Sequence, residues 1–437
     1  VSEQRIRDAL REIAGSVPVR PDPSAAMVTN SPGTRKSWLV PVMAAAAVVL
    51  ILAVGLVSWP GGGQQPAAGG EPTLPDRFPA FSHVQGETGG KFGRAIAAYF
   101  NGSGHEDFTF GQLILASAEG DRYREIEVPE VDSGLVDTRL SASGTKLVIG
   151  GTSMALVDLL TGARREYPGA AGRYVKPLAI SPDERLVAYT VADSRGSQGI
   201  LALLDLSTGQ RTQVGTKDVS VAAFSPDGTE IAFDEGYPDR DELLIARLDG
   251  TIARRIVTPP RSSLAGANSW SPDGKWLVVI SREPDRYEGQ SIWAGDPSYV
   301  FLDTAGKAGQ GPAPVPAKGI VPAAWGDALL GWRSPTSMLV SGGDVDGTTS
   351  NLIVEVNVLT GSREIVSRFA VGPRDDLAVG DVQLATGLLD GIGIRHSTSP
   401  DRGIWPAWAI VSTSVCLAPF VVAVILWWRK RSRAVLR

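Results

Sequence analysis

The sequence is poor in the residues that reactive chemistry uses. One cysteine, Cys416, in 437 residues rules out an intrachain disulfide, so nothing demands an oxidising compartment and nothing excludes one. Three histidines, His83, His105 and His396, leave little material for a zinc site or a catalytic triad. No G-x-S-x-G, H-E-x-x-H or phosphate-cradling glycine loop occurs. His105-Glu106-Asp107-Phe108-Thr109 lacks the second histidine of a zinc helix. Gly151-Thr-Ser153-Met-Ala155 comes near a nucleophile elbow, but its surroundings predict a hairpin rather than a strand-to-helix turn. The expectation is a protein that is not an enzyme and carries no cofactor.

Charge is missing from two long stretches. Trp38 to Trp59 runs 22 residues without a charged side chain, and Trp405 to Trp428 runs 24. At about 1.5 Å per residue a helix of the first length reaches roughly 33 Å, enough for a bilayer core. Six of the 11 tryptophans lie at or near the ends of these runs, as interfacial aromatics do. Both are therefore predicted as transmembrane α-helices. The first is longer than the apolar core of a secretory signal and follows a 37-residue tail, which favours an uncleaved anchor. Pro41 falls in the first turn of its helix, where proline is tolerated, and Pro419 falls mid-span, where it should kink the helix.

Basic residues sit outside the runs. Residues 1–37 hold six Lys/Arg and residues 429–437 hold five with no acid, so both tails are expected in the cytoplasm. The intervening segment has 31 basic and 43 acidic residues, a net of −12, and is expected on the outer side of the cell membrane. No nucleic-acid partner is expected. Within the first tail, Ile6, Leu10 and Ile13 recur at helical spacing and predict a short amphipathic helix.

Glycine (50) and proline (30) are plentiful and fall at regular, turn-like spacings, which points to an all-β fold. Four turn openings align: LSASGTKLVIG (140–150), ISPDERLVAYT (180–190), FSPDGTEIAFD (224–234) and WSPDGKWLVVI (270–280). Their serines, Ser141, Ser181, Ser225 and Ser271, are 40, 44 and 46 residues apart, and WRSPTSMLVSG (332–342) is a degenerate fifth copy. A second turn follows in each unit, at Asp158–Gly162, Asp205–Gly209, Leu248–Gly250, Asp303–Gly306 and Val358–Gly361. A period near 40–45 with about four short strands per unit is the signature of a propeller.

SPDG followed by an aliphatic strand and then D-x-x-T-G resembles the WD-repeat-like β-propeller repeat of the TolB type, over roughly residues 91–375. The match is good at Ser181, Ser225 and Ser271 and fair at Ser141. It is poor in the first unit, where only Gln112–Gly120 fits, and it is interrupted by the loop Thr304–Ala324. The resemblance implies protein–protein contacts at the cell envelope. Some peptidases carry the same propeller beside an α/β-hydrolase domain, whereas this chain turns into an apolar run instead.

The expected organisation is a cytoplasmic tail (1–37), a transmembrane helix (38–59), a flexible linker (60–90), an extracytoplasmic propeller of about six blades (91–399), a second transmembrane helix (405–428) and a basic tail (429–437). Residues 392–404 read as a shorter tether. Gly343-Asp-Val-Asp-Gly347 has the opening of a calcium loop, which makes Asp344 and Asp346 the metal candidates. The expected bidentate acid is met only by Glu355 on a predicted strand, so a plain hairpin is preferred and no metal is assigned. Asp234 to Glu242 is an acidic run that reads as a solvated loop before a calcium site. Trp270, Trp276, Trp293, Trp325 and Trp332 read as packing between blades before a carbohydrate or peptide face. Asn101-Gly-Ser103 matches a glycosylation sequon without further support.

The leading expectation is a membrane-anchored propeller that binds an envelope protein, peptide or glycan. The alternatives are a transmembrane sensor that signals through its tail and a hydrolase or lyase working in the ring's channel.

Overall fold

The computed structural model describes residues 70–397, apart from 79–90, 102–111, 127–136, 170–171, 195–196, 198, 216–217, 236–240, 283–296, 307–310, 317–327, 343–351 and 370–378. Both apolar runs, both tails, His83, His105, Trp293, Trp325, Asp344 and Asp346 lie outside the described residues. Among the described residues no helix is long and apolar enough to cross a membrane.

Six antiparallel sheets follow one another along the chain. Blade 2 is built, from inside outward, of Thr138–Leu140, Lys146–Ile149, Met154–Asp158 and Arg164–Tyr167. Blade 3 uses Tyr174–Ile180, Leu186–Ala192, Ile200–Asp205 and Arg211–Gln213. Blade 4 uses Ala222–Phe224, Glu230–Asp234, Glu242–Arg247 and Ile252–Val257. In blade 5 they are Ser262–Leu264, Trp276–Arg282, Pro297–Asp303 and Val315–Pro316, the last of these inside the loop that interrupted the sequence match. Blade 6 runs Leu329–Ser334, Ser337–Gly342, Leu352–Asn357 and Arg363–Phe369. In blade 1 the order is Val379–Leu384, Ala95–Asn101, Gln112–Ser117 and Tyr123–Ile126, so its innermost strand comes from the far end of the chain.

Strand periodicity explains why the sheets close into a ring. Successive side chains on a strand point to opposite faces, so a strand that is apolar throughout must be covered on both. In blade 2, Leu147 and Ile149 pack with blade 1 residues, whereas Val148 packs with blade 3. In blade 5, Leu277 and Val279 face blade 4, and Val278 and Ile280 face blade 6. Six apolar clusters result, one at every junction between neighbouring blades, including 6 with 1. Each fully buried Leu, Ile or Phe contributes about 1.5–3 kcal/mol. The fold is a six-bladed β-propeller.

The linker expectation needs correction. Residues 60–90 were read as a flexible linker, yet Thr73–Pro75 and Arg77–Phe78 are strands. Arg77–Phe78 adds a parallel fifth strand to the outer edge of blade 6, beside Arg368–Phe369. Thr73–Pro75 pairs in parallel with Gly393–Arg395, which had been read as tether. The reason is burial: Leu74 and Phe78 are 0% exposed, and Phe78 stacks on Phe369 at 4.8 Å and meets Tyr99 edge-on at 5.7 Å. Glycine and proline around these apolar residues make the stretch look like a linker, but the side chains complete the core between blades 6 and 1.

Candidate binding mouth

Each inner strand of blades 2–5 starts at one end of the ring and finishes at the other, in the serine turn. In each turn the serine bonds within its own turn. In blade 3, Ser181 Oγ donates to Asp183 Oδ1 at 2.5 Å and accepts from Leu186 N–H at 2.8 Å. Ser225 repeats this with Asp227 (2.6 Å) and Glu230 N–H (2.9 Å), and Ser271 with Asp273 (2.7 Å) and Trp276 N–H (2.9 Å). Gly228 and Gly274 close their turns at φ of 70° and 71°, a conformation open to glycine, while Glu184 takes the same place in blade 3 at 56°. The second turns are capped likewise: Asp158 Oδ1 accepts from Leu160 and Thr161 N–H, and Asp205 Oδ1 from Ser207 and Thr208 N–H. In blade 6 the cap is Asn357, one residue ahead of the stretch singled out in the sequence.

These turns set the carboxylates below their ordinary range. For Asp183 and Asp227 the leading cause is the serine hydroxyl. For Asp158 and Asp273 burial pulls upward, and the hydrogen-bond donors outweigh it. The turn aspartates are spent on the fold.

The opposite end differs. There the first residues of three neighbouring inner strands bring polar groups together. Tyr174 Oη donates to Asp137 Oδ2 at 2.8 Å, and Lys176 Nζ lies 3.8 Å from Asp137 Oδ1, which joins blades 2 and 3. Deeper along the same strands, Arg139 Nε donates to Leu178 O in blade 3 at 2.5 Å, while its Nη1 lies 3.5 Å from Asp381 Oδ1 in blade 1. Arg139 therefore spans three blades. Asp381 accepts in turn from Gln383 Nε2 at 2.9 Å.

Two features position Asp381. The closing strand carries a bulge between Gly380 and Gln383, and Asp381 sits at φ 45°. A bulge frees a residue from the ladder and re-aims its side chain, and aspartate tolerates the left-handed region better than most. Exposure is graded inward: the side chains of Lys176 and Asp137 are 38% and 23% exposed, those of Arg139 and Asp381 12% and 15%. The outer pair is wet enough to exchange partners. The inner pair holds the strands in register, because a nearly buried charge is costly unless paired.

The sequence reading did not single out Asp137, Arg139, Tyr174, Lys176, Asp381 or Gln383. A signal was present in DTRLSASG and YVKPLAISPDE: polar residues at alternate positions just upstream of a serine turn.

The motifs it did single out are placed elsewhere. Ser153 lies in the hairpin between two strands of blade 2, and its Oγ donates to Glu166 at 3.1 Å. Trp270 is 6% exposed and donates through Nε1 to Ala223 O of blade 4 at 3.0 Å; Trp332 donates to Asn268 O at 3.2 Å, and Trp276 packs into the core between blades 5 and 6. These three are packing residues, as expected. Asp234 corrects the solvated-loop reading of its run. It ends a strand, is 2% exposed, and accepts from Ser220 N–H and Oγ (3.1 and 2.9 Å) and Val221 N–H (2.9 Å). Burial pushes its carboxyl upward against those donors. Among the described residues no group of three or more His, Cys, Asp or Glu is arranged to hold a metal.

The class of protein defined by this geometry is a six-bladed propeller closed by a strand from its far end. No family model matches the chain. A TolB homologue from Chlorobium chlorochromatii is 28% identical over 103 residues, 24% of this chain and 22% of that protein. Among solved structures, TolB from Acinetobacter baumannii is similar with a TM-score of 0.46 at 16% identity, over 66% of each chain. An oligogalacturonate lyase from Vibrio parahaemolyticus gives 0.45 at 14%, over 68% of this chain and 81% of that one. The repeat is TolB-like.

Proposed function

We propose that the chain is a membrane-anchored propeller on the outer side of the cell membrane, with both tails inside. In this reading it is a non-enzymatic platform that takes an envelope protein, peptide or glycan at the mouth formed by blades 1–3. The observation that carries the reading is the convergence of Asp137, Tyr174, Lys176, Arg139 and Asp381 from three blades on one end of the ring. A small set of convergent polar groups on a rigid scaffold suits recognition. At the opposite end the serines and aspartates are committed to their own turns, and Glu184 to the turn of the next blade. The membrane half of the reading is supported by the pairing of Thr73–Pro75 with Gly393–Arg395, which brings these two segments together at one seam. The 13 residues between Trp59 and Thr73 and the nine between Arg395 and Trp405 are long enough for both apolar runs to reach one bilayer.

Photo-crosslinking in native membranes tests this. A crosslinking residue in place of Lys176 in the full chain is expected to capture a discrete partner, and one in place of exposed Thr208 at the turn end is expected not to. Equal capture at both, or none at Lys176, overturns the mouth. Reporter fusions at Gln65 and Ser399 are expected to read out on the outer side, and a cytoplasmic signal from both overturns the anchoring.

A further inference from the structure

The two ends of the described chain are joined in an unusual way. Thr73, Leu74 and Pro75 pair in parallel register with Gly393, Ile394 and Arg395. The chain arrives at this pair from the Thr73 side and leaves it beyond Arg395. Tension between the two ends therefore draws the strands in opposite directions along their common axis. A hairpin pulled at its open end breaks one bond at a time. Here every cross-link takes the load at once.

Those cross-links are numerous for so short a pair. Arg395 Nη1 donates to Thr73 O and Oγ1, both at 2.9 Å, and Asp76 N–H donates to Arg395 O at 2.9 Å. Ser397 N–H donates to Asp76 Oδ1 at 2.8 Å, and His396 Nδ1 lies 2.7 Å from Asp76 Oδ2. The pair is also riveted to both closing blades. Toward blade 1, Arg395 Nε meets Asp121 Oδ1 at 3.1 Å, its Nη2 donates to Gly120 O at 2.8 Å, and Thr73 N–H donates to Ala118 O at 3.0 Å. Toward blade 6, Ser367 Oγ donates to Pro75 O at 2.7 Å and Arg368 N–H to Asp76 O at 3.0 Å.

We propose that this pair is a mechanical clasp, loaded in shear, that carries tension between the two ends of the chain while the ring stays closed. Arg395 is its central rivet, since one guanidinium ties the partner strand, blade 1 and the Asp121 carboxylate together. The inference stands on the register and the hydrogen bonds and does not need the membrane reading.

The test is single-molecule pulling on the full chain in detergent. One arrangement places handles at the two termini. The other places them at exposed Gln210 and Thr251, in turns of blades 3 and 4, so that the load bypasses the clasp. The terminal pull is expected to rupture the propeller at a force about twofold above the bypass pull, because forced unfolding follows the barrier along the loaded direction. Arg395→Ala is expected to lower the terminal rupture force and leave the bypass force unchanged, with the far-ultraviolet spectrum as a check that the ring is folded. Rupture at or below the bypass force in the unaltered chain overturns the proposal, without recourse to any variant. So does an Arg395→Ala chain whose terminal rupture force is unaltered.

Discussion

Gln383 and Thr138 meet across the seam where the ring closes. Gln383 Nε2 donates to Thr138 O at 2.9 Å and to Thr138 Oγ1 at 3.1 Å, while its Oε1 accepts from Leu140 N–H at 2.7 Å. A side-chain amide from the closing strand thus reads the backbone of the neighbouring inner strand as a peptide group would. The seam is dry, with Gln383 6% exposed, so its polar groups have few other partners.

Gln383→Ala should therefore cost more than one ordinary hydrogen bond. It strands the Leu140 N–H and leaves the Thr138 carbonyl only the Arg139 Nη1 donor at 3.2 Å, and we expect a loss of about 2–3 kcal/mol. Urea unfolding followed by tryptophan fluorescence measures it, and a change within experimental error would remove the seam from the account.

Glu184 offers a compensated exchange. It occupies a turn position at φ 56°, where Gly228 and Gly274 sit in the next two blades. Its carboxylate accepts from Ser143 N–H at 2.9 Å and lies 3.1 Å from Lys146 Nζ, tying the turn of blade 3 to that of blade 2. Glu184→Gly relieves roughly 1 kcal/mol of left-handed strain and gives up a tie of similar size, so its net effect should stay within about 1 kcal/mol of zero. Glu184→Ala keeps the strain and loses the tie, and should be the less stable of the two by about 1 kcal/mol. The reverse order in thermal melts would show that the left-handed position carries no strain, and an Ala variant as stable as the unaltered chain would show that the tie contributes nothing.

Acid should loosen the turns. Asp183, Asp227, Asp273 and Asp158 are all held below their ordinary value of 3.8. A carboxylate depressed in the folded state contributes stability that is complete above the unfolded value. That contribution is lost as pH falls through the folded value. Stability should thus be flat in this respect above about pH 5 and fall steadily below about pH 4. Replacing Asp183, Asp227 and Asp273 together by Asn should flatten the acid limb of a melting-temperature profile against pH.

Asp234 should behave with the opposite sign. Burial raises its carboxyl above 3.8, so its proton-linked contribution is present below the unfolded value and is lost as pH rises through the folded value. Asp234→Asn keeps an acceptor for Ser220 and Val221 without a charge, and its stability relative to the unaltered chain should improve as pH rises above about 4. Asp234→Ala removes all three bonds and should cost about 2–4 kcal/mol at low pH, and less as pH rises. Parallel pH dependences for the Asn variant and the unaltered chain would contradict the assignment.

How much of this was legible in the sequence follows from how far apart the partners lie. The turns at Ser181, Ser225 and Ser271 could be read because serine, aspartate and the accepted N–H fall within six residues, so composition and spacing carry the geometry. Glycine in that motif is less binding than it looks, since Glu184 does the same with a side chain that found an anchor on the next blade. The closing strand Val379–Leu384 could not be read. It has no serine turn after it, runs instead into a short 3-10 turn at Thr386–Leu388, and pairs with residues almost 300 positions earlier. Thr73–Phe78 was hidden for the same reason: its partners, Gly393–Arg395 and Arg368–Phe369, are equally remote. The mouth was half visible. Asp137, Arg139, Tyr174 and Lys176 stand at strand positions that the repeat predicts, but only the ring sets them beside Asp381.

The outer rim has a consequence of its own. Four of its strands are Arg164–Tyr167, Arg211–Gln213, Ile252–Val257 and Val315–Pro316; they are short, rich in arginine or broken by proline. The longest outer strand, Arg363–Phe369, is partly sheathed by Arg77–Phe78. Bare backbone on a perimeter invites other molecules to add on sideways and grow into fibrils. A circumference cut this short and this cationic gives such growth no template, which would let the disc stand crowded among its own copies without sticking.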